Sequence, residues 1–151
     1  EAITQEADQI ILGQDGRKMS KSYKNIIPLL SSEKVLKKAI AKIVTNSLEP
    51  GEPKDFNNCS VFSLFKHFSS VEEQNEFKES YKNGISWGDA KNKLFEKVND
   101  HVLPIRDSYD SLSSNKDLIN DLLDEGSSKV RPMAKELLLE VRESIGISKI
   151  S

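Results

Sequence analysis

Two lysines and two serines lie close together near the start of the chain, in the motif Lys18-Met19-Ser20-Lys21-Ser22, called the KMSKS motif below. Lysine ammonium groups are mobile point charges for phosphate oxygens, and hydroxyls and free backbone amides can donate hydrogen bonds to the same anion. The motif follows Asp15-Gly16, a dipeptide typical of a turn. These residue types predict contact with a polyphosphate, and the triphosphate of ATP is the first candidate.

Positive charge is concentrated around this motif. Between residues 17 and 44 there are eight Lys or Arg residues and one acid, Glu33, although the whole chain has a net charge of −2. Such a block indicates a local site for a polyanion. A solvated lysine-rich helix face would also explain the basic residues from 34 to 42. It does not explain Lys18 and Lys21, which we expect in a loop without acids to pair with.

The composition is that of a chain with one ordinary core, or one core and an extended arm: 151 residues, of which 36% are hydrophobic. No apolar run is long enough to span a membrane, and the N-terminus lacks the features of a secretion signal. Because the first residue is not Met, we expect the chain to be part of a longer one. The single cysteine, Cys59, cannot form an internal disulfide, fits a reducing cytoplasm and is predicted to be a small core residue.

Apolar periodicity predicts an all-α helical bundle, preceded by a short strand or extended segment that ends at Leu12 and by the loop that bears the KMSKS motif. Caps and breakers predict where the helices begin and end. Three helices are expected in the first half, from about Ser31 to Val44, over Val61–Phe68, and over Val71–Tyr81 with Ser70 as its cap. A long helix capped by Ser86 contains Pro104, and a short helix opened by Asn115 has a buried side formed by Leu118, Ile119, Leu122 and Leu123. The last helix runs from about Ser127 to Ile145 and is ended by Gly146.

Taken in order, the motifs resemble the C-terminal part of the tryptophanyl-tRNA synthetase family, a group of class I aminoacyl-tRNA synthetases. The KMSKS motif is shared by the class. The motifs that favour the tryptophan family are Gly13–Lys18, Ile43–Ser47, Glu52–Asp55, Cys59–Phe62, Trp87–Lys91 and Asp124–Arg131. Two positions depart from the family pattern: Asn46 stands where Asp is usual, and Lys24 where a small residue is common.

The resemblance implies a division into residues 1–30, the end of a catalytic domain with the KMSKS loop, and residues 31–151, a helical anticodon-binding domain. It implies ATP with Mg²⁺, tryptophan and tRNA(Trp) as ligands of a longer, cytoplasmic, homodimeric enzyme, with no membrane partner and no protein metal site. Lys21 would be the stronger contact to the leaving pyrophosphate and Lys18 would assist it. Ser20 and Ser22 would bond phosphate or backbone, and Met19 would be an apolar latch. Candidates for tRNA phosphate contact are Lys129, Arg131 and Lys135.

Two alternatives remain open: a tyrosine-specific class I relative, and a free-standing helical RNA-binding module that has lost catalysis. A class I synthetase also needs a nucleotide-binding α/β domain with a His-containing signature, and this sequence has none. We interpret His67 and His101 as helix residues rather than catalytic groups, and Trp87 as a packing anchor rather than a base-stacking platform. We therefore expect the chain to be slightly less than half of its parent enzyme and to be inactive alone.

Overall fold

The structure is a computed structural model that describes residues 10–147. Within that range the chain forms five α-helices and no β-strand, which confirms the all-α fold class. The helices are α1 (Glu33–Ala41), α2 (Ser60–Lys66), α3 (Val71–Lys82), α4 (Trp87–Ser114) and α5 (Lys116–Ser144). Of the predicted extended segment, residues 10–12 are described, and an isolated antiparallel bridge joins Leu12 to Lys18. Residues 1–9 and 148–151 lie outside the described range.

A hydrophobic core forms where α1 to α4 pack together. Its centre is aromatic: Tyr81 has no exposed surface and Phe77 is 1% exposed, and their ring centroids are 4.9 Å apart. The Tyr81 hydroxyl lies 3.3 Å from the sulfur of Cys59, which is buried as predicted. Trp87 packs edge-on against Tyr81 at 5.8 Å, in agreement with a packing role. The core also includes Leu36, Ile40, Ile43, Val61, Phe62, Leu64, Phe65, Ala90, Leu94, Phe95, Val98 and Val102.

Three predicted helix caps are confirmed by side-chain hydrogen bonds. The Ser70 hydroxyl accepts from the backbone N–H of Glu73 at 3.3 Å, and the Glu73 carboxylate accepts from the Ser70 N–H at 2.8 Å, which completes a capping box. Ser86 accepts from the N–H of Asp89 at 3.0 Å, and Asn115 from the N–H of Leu118 at 3.1 Å. These bonds satisfy amides that a helix N-terminus leaves unpaired, and so fix where α3, α4 and α5 begin.

The C-terminal region differs from the prediction. Instead of two helices there is one, α5, which runs through Gly126 and Ser127 without a break. A single glycine in a helix costs only about 1 kcal/mol relative to alanine, and the ion pair between Glu125 and Lys129 stabilises the turn that contains Gly126. The predicted buried side of the short helix is also wrong, because α5 contains no buried residue and Leu122 and Leu123 are 56% and 62% exposed. Gly146 does end this helix, with φ at +74°.

Contacts divide the chain into two compact units, Glu1–Asp107 and Ser108–Ser151. The first contains the KMSKS motif and the hydrophobic core, and the second contains the last residues of α4 and all of α5. The predicted boundary after residue 30 refers to a longer protein and stays a prediction. No helix in the described part of the chain combines the length and apolar character needed to cross a lipid bilayer.

A candidate phosphate-binding loop

The KMSKS motif lies in a loop of residues 13–25, called the KMSKS loop below, that begins with a tight turn. The N–H of Gly13 donates to the carbonyl of Arg17 at 2.7 Å, and the N–H of Gly16 donates to the carbonyl of Gly13 at 3.1 Å. Gly16 has φ +76°, a left-handed conformation that glycine adopts without steric cost. The N–H of Met19 then donates to the carbonyl of Ile11 at 2.8 Å. The first half of the motif is therefore paired with the segment that enters the loop.

A second turn closes the loop after the motif. The N–H of Lys24 donates to the carbonyl of Lys21 at 3.1 Å, and Lys24 has φ +53°. It is the only residue other than glycine with positive φ in the described part of the chain. This conformation is unusual for a side chain of this size. Glycine would adopt the same conformation without steric cost.

Backbone hydrogen bonds tie the loop to the end of the α1 region. The N–H of Gln14 donates to the carbonyl of Asn25 at 3.0 Å, and the carbonyl of Gln14 accepts from the N–H of Val44 at 2.8 Å. The Gln14 side-chain amide also donates to the carbonyl of Ile26 at 2.7 Å. The base of the loop is therefore fixed to the helical body of the first unit.

One acid in the loop is neutralised by one of the loop's cations. Asp15 and Arg17 form an ion pair at 2.6 Å, and the Arg17 guanidinium lies 4.9 Å from the centre of the Tyr23 ring. Hydrogen bonds from Asn25 and Arg17 lower the pKa of Asp15 to about 2, so this carboxyl stays charged at neutral pH. The sequence analysis did not foresee this pair, which occupies the one acid among residues 13–25.

The ammonium groups of Lys18 and Lys21 remain available. Both side chains are exposed, and within the described residues neither has a hydrogen bond or an ion pair. The hydroxyls of Ser20 and Ser22 lie 2.8 Å apart and hydrogen-bond to each other. The structure thus brings four of the five predicted site residues together as exposed or half-exposed polar groups on one short loop, where an anion could meet both cations.

The fifth predicted site residue, Met19, is half-buried and points toward the helices. It contributes to the wall of an apolar cavity of about 140 Å³. The other lining residues are Ile11, Ile27, Leu29, Ile40, Leu64, His67, Phe68, Leu94 and Val98. The side chain between the two lysines is therefore in apolar surroundings, while the lysines on either side reach into solvent.

Asn25 is a site residue that the sequence analysis missed. It is 3% exposed, and its side chain hydrogen-bonds to Asp15, to the carbonyl of Lys18 and to the N–H of Ser20. The partners lie five to ten positions earlier in the chain, beyond the reach of a local pattern. The only hint in the sequence is the residue type, since asparagine is favoured in turns where its side chain can bond the backbone.

The three predicted tRNA contacts all lie on α5 but do not form one patch. Arg131 and Lys135 are one helical turn apart and therefore share a face. Lys129 lies on a different face and forms an ion pair with Glu125. All three side chains are exposed. Among the described residues, Arg131 and Lys135 have no hydrogen bond or ion pair from their side chains, whereas the Lys129 ammonium group is paired with Glu125.

The remaining candidates for chemistry can be placed briefly. His67 and His101 are exposed, and the His101 ring packs edge-on against Phe68 at 5.6 Å. The Trp87 indole N–H donates to the Asn46 side chain at 3.0 Å, so one of the two residues that depart from the family pattern has a structural partner. Residues 10–147 contain no cluster of three or more His, Cys, Asp or Glu side chains that could hold a metal ion.

Comparison with known proteins identifies the family. The family model of class I tRNA synthetases (W and Y) matches residues 1–102. A tryptophan–tRNA ligase of Pseudomonas aeruginosa is 41% identical over 150 residues, which are 99% of this chain and 34% of that protein. One from Neisseria meningitidis is also 41% identical, over 92% of this chain and 41% of its own length.

A solved structure gives the same result. The tryptophanyl-tRNA synthetase of Campylobacter jejuni, complexed with ADP and tryptophan, matches 97% of this chain and 46% of its own with a TM-score of 0.86 and 39% identity. The chain thus spans between a third and a half of the length of these relatives. The KMSKS loop lies inside the region that the family model matches. On this evidence the chain belongs to the class I tRNA synthetases of the tryptophan and tyrosine (W and Y) family.

Proposed function

We propose that this chain is the C-terminal part of a tryptophan–tRNA ligase, called the parent enzyme below. The parent enzyme would activate tryptophan with ATP and transfer it to tRNA(Trp). The names of the relatives support tryptophan over tyrosine, and their match over nearly the whole chain argues against a free-standing RNA-binding module. The observation that carries the proposal is that the Lys18 and Lys21 ammonium groups, on an anchored loop, are exposed and have no partner among residues 10–147.

The role of the loop follows from the chemistry of the activation step. The tryptophan carboxylate oxygen forms a bond to the α-phosphorus of ATP, and the bond from that phosphorus to the bridging oxygen breaks. The electron pair leaves with pyrophosphate, so negative charge grows on the leaving group. An enzyme accelerates such a displacement chiefly by positioning the groups and stabilising the developing charge. Lys21, assisted by Lys18, would supply that stabilisation.

The serines and Met19 would support the lysines. The hydroxyls of Ser20 and Ser22 can exchange their mutual hydrogen bond for bonds to phosphate oxygens. Met19 would hold the loop against the helices through its contacts in the apolar cavity. Mg²⁺ usually binds to one or two carboxylates together with the substrate phosphates. Since residues 10–147 offer no metal cluster, we assign no residue of this part of the chain to the ion.

The helical region would bind tRNA, with Arg131 and Lys135 on α5 as phosphate contacts. Phosphate contacts of this kind position an RNA without reading its sequence. Family resemblance supports a homodimeric parent enzyme in the cytoplasm, and the single unpaired cysteine fits a reducing compartment.

The proposal is tested in the parent enzyme by replacing Lys21 with alanine. Removing one contact that forms with the transition state costs about 2–4 kcal/mol, so we expect Lys21→Ala to lower the rate of tryptophan-dependent ATP–pyrophosphate exchange about 30- to 1000-fold. Tryptophan affinity, measured by calorimetry, should change little, because the loss affects the transition state. Supplying tyrosine instead of tryptophan as the substrate in the same assay tests the amino-acid specificity.

Lys38→Ala is the matched control. Lys38 is an exposed lysine of α1 in the same basic segment, and it lies outside the KMSKS loop. We expect this variant to retain the wild-type exchange rate. Equal losses in the two variants, or equal losses of exchange rate and tryptophan affinity in Lys21→Ala, would contradict the proposed role. Exchange that depends on tyrosine instead of tryptophan would make the parent a tyrosine enzyme.

A further inference from the structure

The nitrogen and the oxygen of the Asn25 side-chain amide both form hydrogen bonds inside the KMSKS loop. Its nitrogen donates to the Asp15 carboxylate at 2.7 Å and to the carbonyl of Lys18 at 3.2 Å, and its oxygen accepts from the N–H of Ser20 at 2.8 Å. A buried amide with all these partners is in one defined orientation, because every alternative leaves a buried polar group unpaired. The side chain therefore connects the turn at Asp15 with the two peptide groups that flank Met19.

The surroundings of Asn25 leave little room for adjustment. A Cβ atom built on Gly13 would lie 2.5 Å from both the Asn25 Cγ and its backbone oxygen, which shows how closely the incoming chain passes. On the other side, the positive φ of Lys24 reverses the chain just before Asn25. As a result Lys24 is exposed while Asn25, the next residue, is 3% exposed.

These contacts fix the backbone of both cationic residues without touching their ammonium groups. The carbonyl of Lys18 is bound by Asn25, and the carbonyl of Lys21 is bound by the N–H of Lys24 at 3.1 Å. Between them, the N–H of Ser20 is bound by the Asn25 oxygen. The Cα positions of the two lysines are therefore set relative to each other, and their side chains stay free to move toward an anion.

We propose that Asn25 is a positioning residue, whose amide holds the backbone from Lys18 to Ser20 so that the ammonium groups of Lys18 and Lys21 converge on one phosphate group. The proposal rests on the proposed function, since it assigns Asn25 a part in the same activation step. Asn25 itself touches no substrate in this arrangement. Its effect on the reaction is to reduce the number of loop conformations that must be given up when the transition state forms.

A role confined to folding predicts different measurements from a positioning role. If Asn25 only stabilised the protein, its loss would lower the melting temperature and leave the rate per folded molecule unchanged. If it positions the lysines, its loss lowers the maximal rate of activation while tryptophan affinity is retained. The separation of rate from binding and stability is therefore the decisive readout.

The first test replaces Asn25 with alanine in the parent enzyme. Because misplacement of a reacting group by about 1 Å can cost about 100-fold in rate, we expect ATP–pyrophosphate exchange to fall about 10- to 100-fold in kcat, with tryptophan affinity within about twofold of wild type. Asn58→Ala is the control, since Asn58 makes the same type of bond to Asp55 at 3.0 Å in another loop. It should exchange at the wild-type rate.

The second test exchanges the two hydrogen-bonded side chains. In Asn25→Asp alone, the introduced carboxylate can accept from Ser20 but faces the Asp15 carboxylate and the carbonyl of Lys18, both acceptors. We expect this variant to exchange no faster than Asn25→Ala. Adding Asp15→Asn restores a donor for the carboxylate at position 25. Relative to Asn25→Asp, the double variant should recover about fivefold or more in rate, as expected for two residues in direct contact. Asp15→Asn alone completes the cycle.

The outcomes separate this inference from the proposed function. If Lys21→Ala is impaired and Asn25→Ala exchanges at the wild-type rate, the positioning role is wrong and the proposed function stands. If Lys21→Ala exchanges at the wild-type rate, the proposed function fails and the positioning role fails with it. If Asn25→Ala is too unstable to assay, the exchanged pair decides: a double variant no faster than Asn25→Asp overturns the positioning role.

Discussion

Gly13 leaves no space for a side chain, and the structure predicts a cost for adding one. In Gly13→Ala the new methyl group would lie 2.5 Å from the Cγ and the backbone oxygen of Asn25, so the loop or its base must shift. Over-packing of this kind costs about 1–3 kcal/mol. We expect the free energy of unfolding of the parent enzyme to fall by that amount, measured by urea denaturation.

The control is the same substitution at a glycine with open space. Gly126 lies inside α5, and a Cβ built there has no heavy atom within 4 Å apart from its own helix backbone and neighbours. Because alanine loses less conformational entropy than glycine in a helix, Gly126→Ala should stabilise the protein by about 0.5–1 kcal/mol. A Gly13→Ala variant that is stabilised like Gly126→Ala would show that Gly13 does not approach Asn25 as described.

The ionisation of Asp15 reports on the hydrogen bond from Asn25. That bond is the largest cause of the lowered pKa of Asp15, which is about 2 instead of 3.8. A carboxyl group whose pKa is lower in the folded than in the unfolded protein stabilises the folded state, and this stabilisation is complete at pH values above the pKa of the unfolded state. This stabilisation is lost as the pH falls through about 2. We expect Asn25→Ala to raise the Asp15 titration midpoint toward 3.8, measured by carbon NMR of the carboxyl group. An unchanged midpoint would contradict the described network.

At the residue scale, the sequence identified the cations but not what holds them. Lys18 and Lys21 are recognisable because they lie three positions apart in a short motif whose residue types bind phosphate. Asn25 is not, because its partners lie five to ten positions earlier in the chain, and only the folded loop brings them together. The Asp15–Arg17 pair was missed for a simpler reason: a charge count over the region does not tell which acid pairs with which base.

At the scale of elements, the capped helix starts were predictable, whereas the helix start at Ser127 and the burial of the C-terminal apolar stripe were predicted wrongly. A cap is a contact between residues three apart, as in Ser70 and Glu73 or Ser86 and Asp89, so the local sequence contains both partners. Whether an apolar stripe is buried depends on contacts that no local pattern specifies. In α5 the apolar stripe was recognised and predicted to be buried, but the structure leaves it exposed. The prediction also gave Gly126 too much weight as a helix breaker.

The faces of α5 lead to a prediction about tRNA. Replacing Arg131 and Lys135 with glutamine removes two exposed cations from one helix face. We expect the parent enzyme to charge tRNA with a lower kcat/KM and a weaker dependence of binding on salt, since each lost phosphate contact reduces the salt slope by about 1. Tryptophan-dependent ATP–pyrophosphate exchange should stay unchanged, because the substitutions lie outside the KMSKS loop.

Lys129→Gln provides the comparison on the same helix. Its ammonium group is already paired with Glu125, and it lies on a different face from Arg131 and Lys135. We expect a smaller loss of charging than in the double variant. If Lys129→Gln weakens charging as much as Arg131→Gln with Lys135→Gln, the face of α5 that contacts RNA has been assigned wrongly.

At the scale of the whole molecule, charge and apolar surface are distributed unevenly. The basic residues between 17 and 44 belong to the first unit, in a chain whose net charge is −2. The second unit exposes large apolar side chains along α5, among them Leu123 at 62%, Met133 at 71% and Leu137 at 62%. Apolar surface of this extent on one helix is unusual for a soluble monomer and promotes association.

We therefore expect the 151-residue chain alone to bind the dye anilinonaphthalene sulfonate and to self-associate with rising concentration, and to show no tryptophan-dependent pyrophosphate exchange. Replacing Leu123, Met133 and Leu137 together with glutamine should reduce both dye fluorescence and association, because glutamine keeps the helix while removing apolar surface. Replacing the exposed Asp121 and Asp124 with asparagine and Glu136 with glutamine should reduce neither. Sedimentation velocity measures the association. A chain that stays monomeric and binds no dye would show that the apolar side chains of α5 do not form an accessible surface in solution. Such a surface would bind the dye whatever the state of the rest of the molecule.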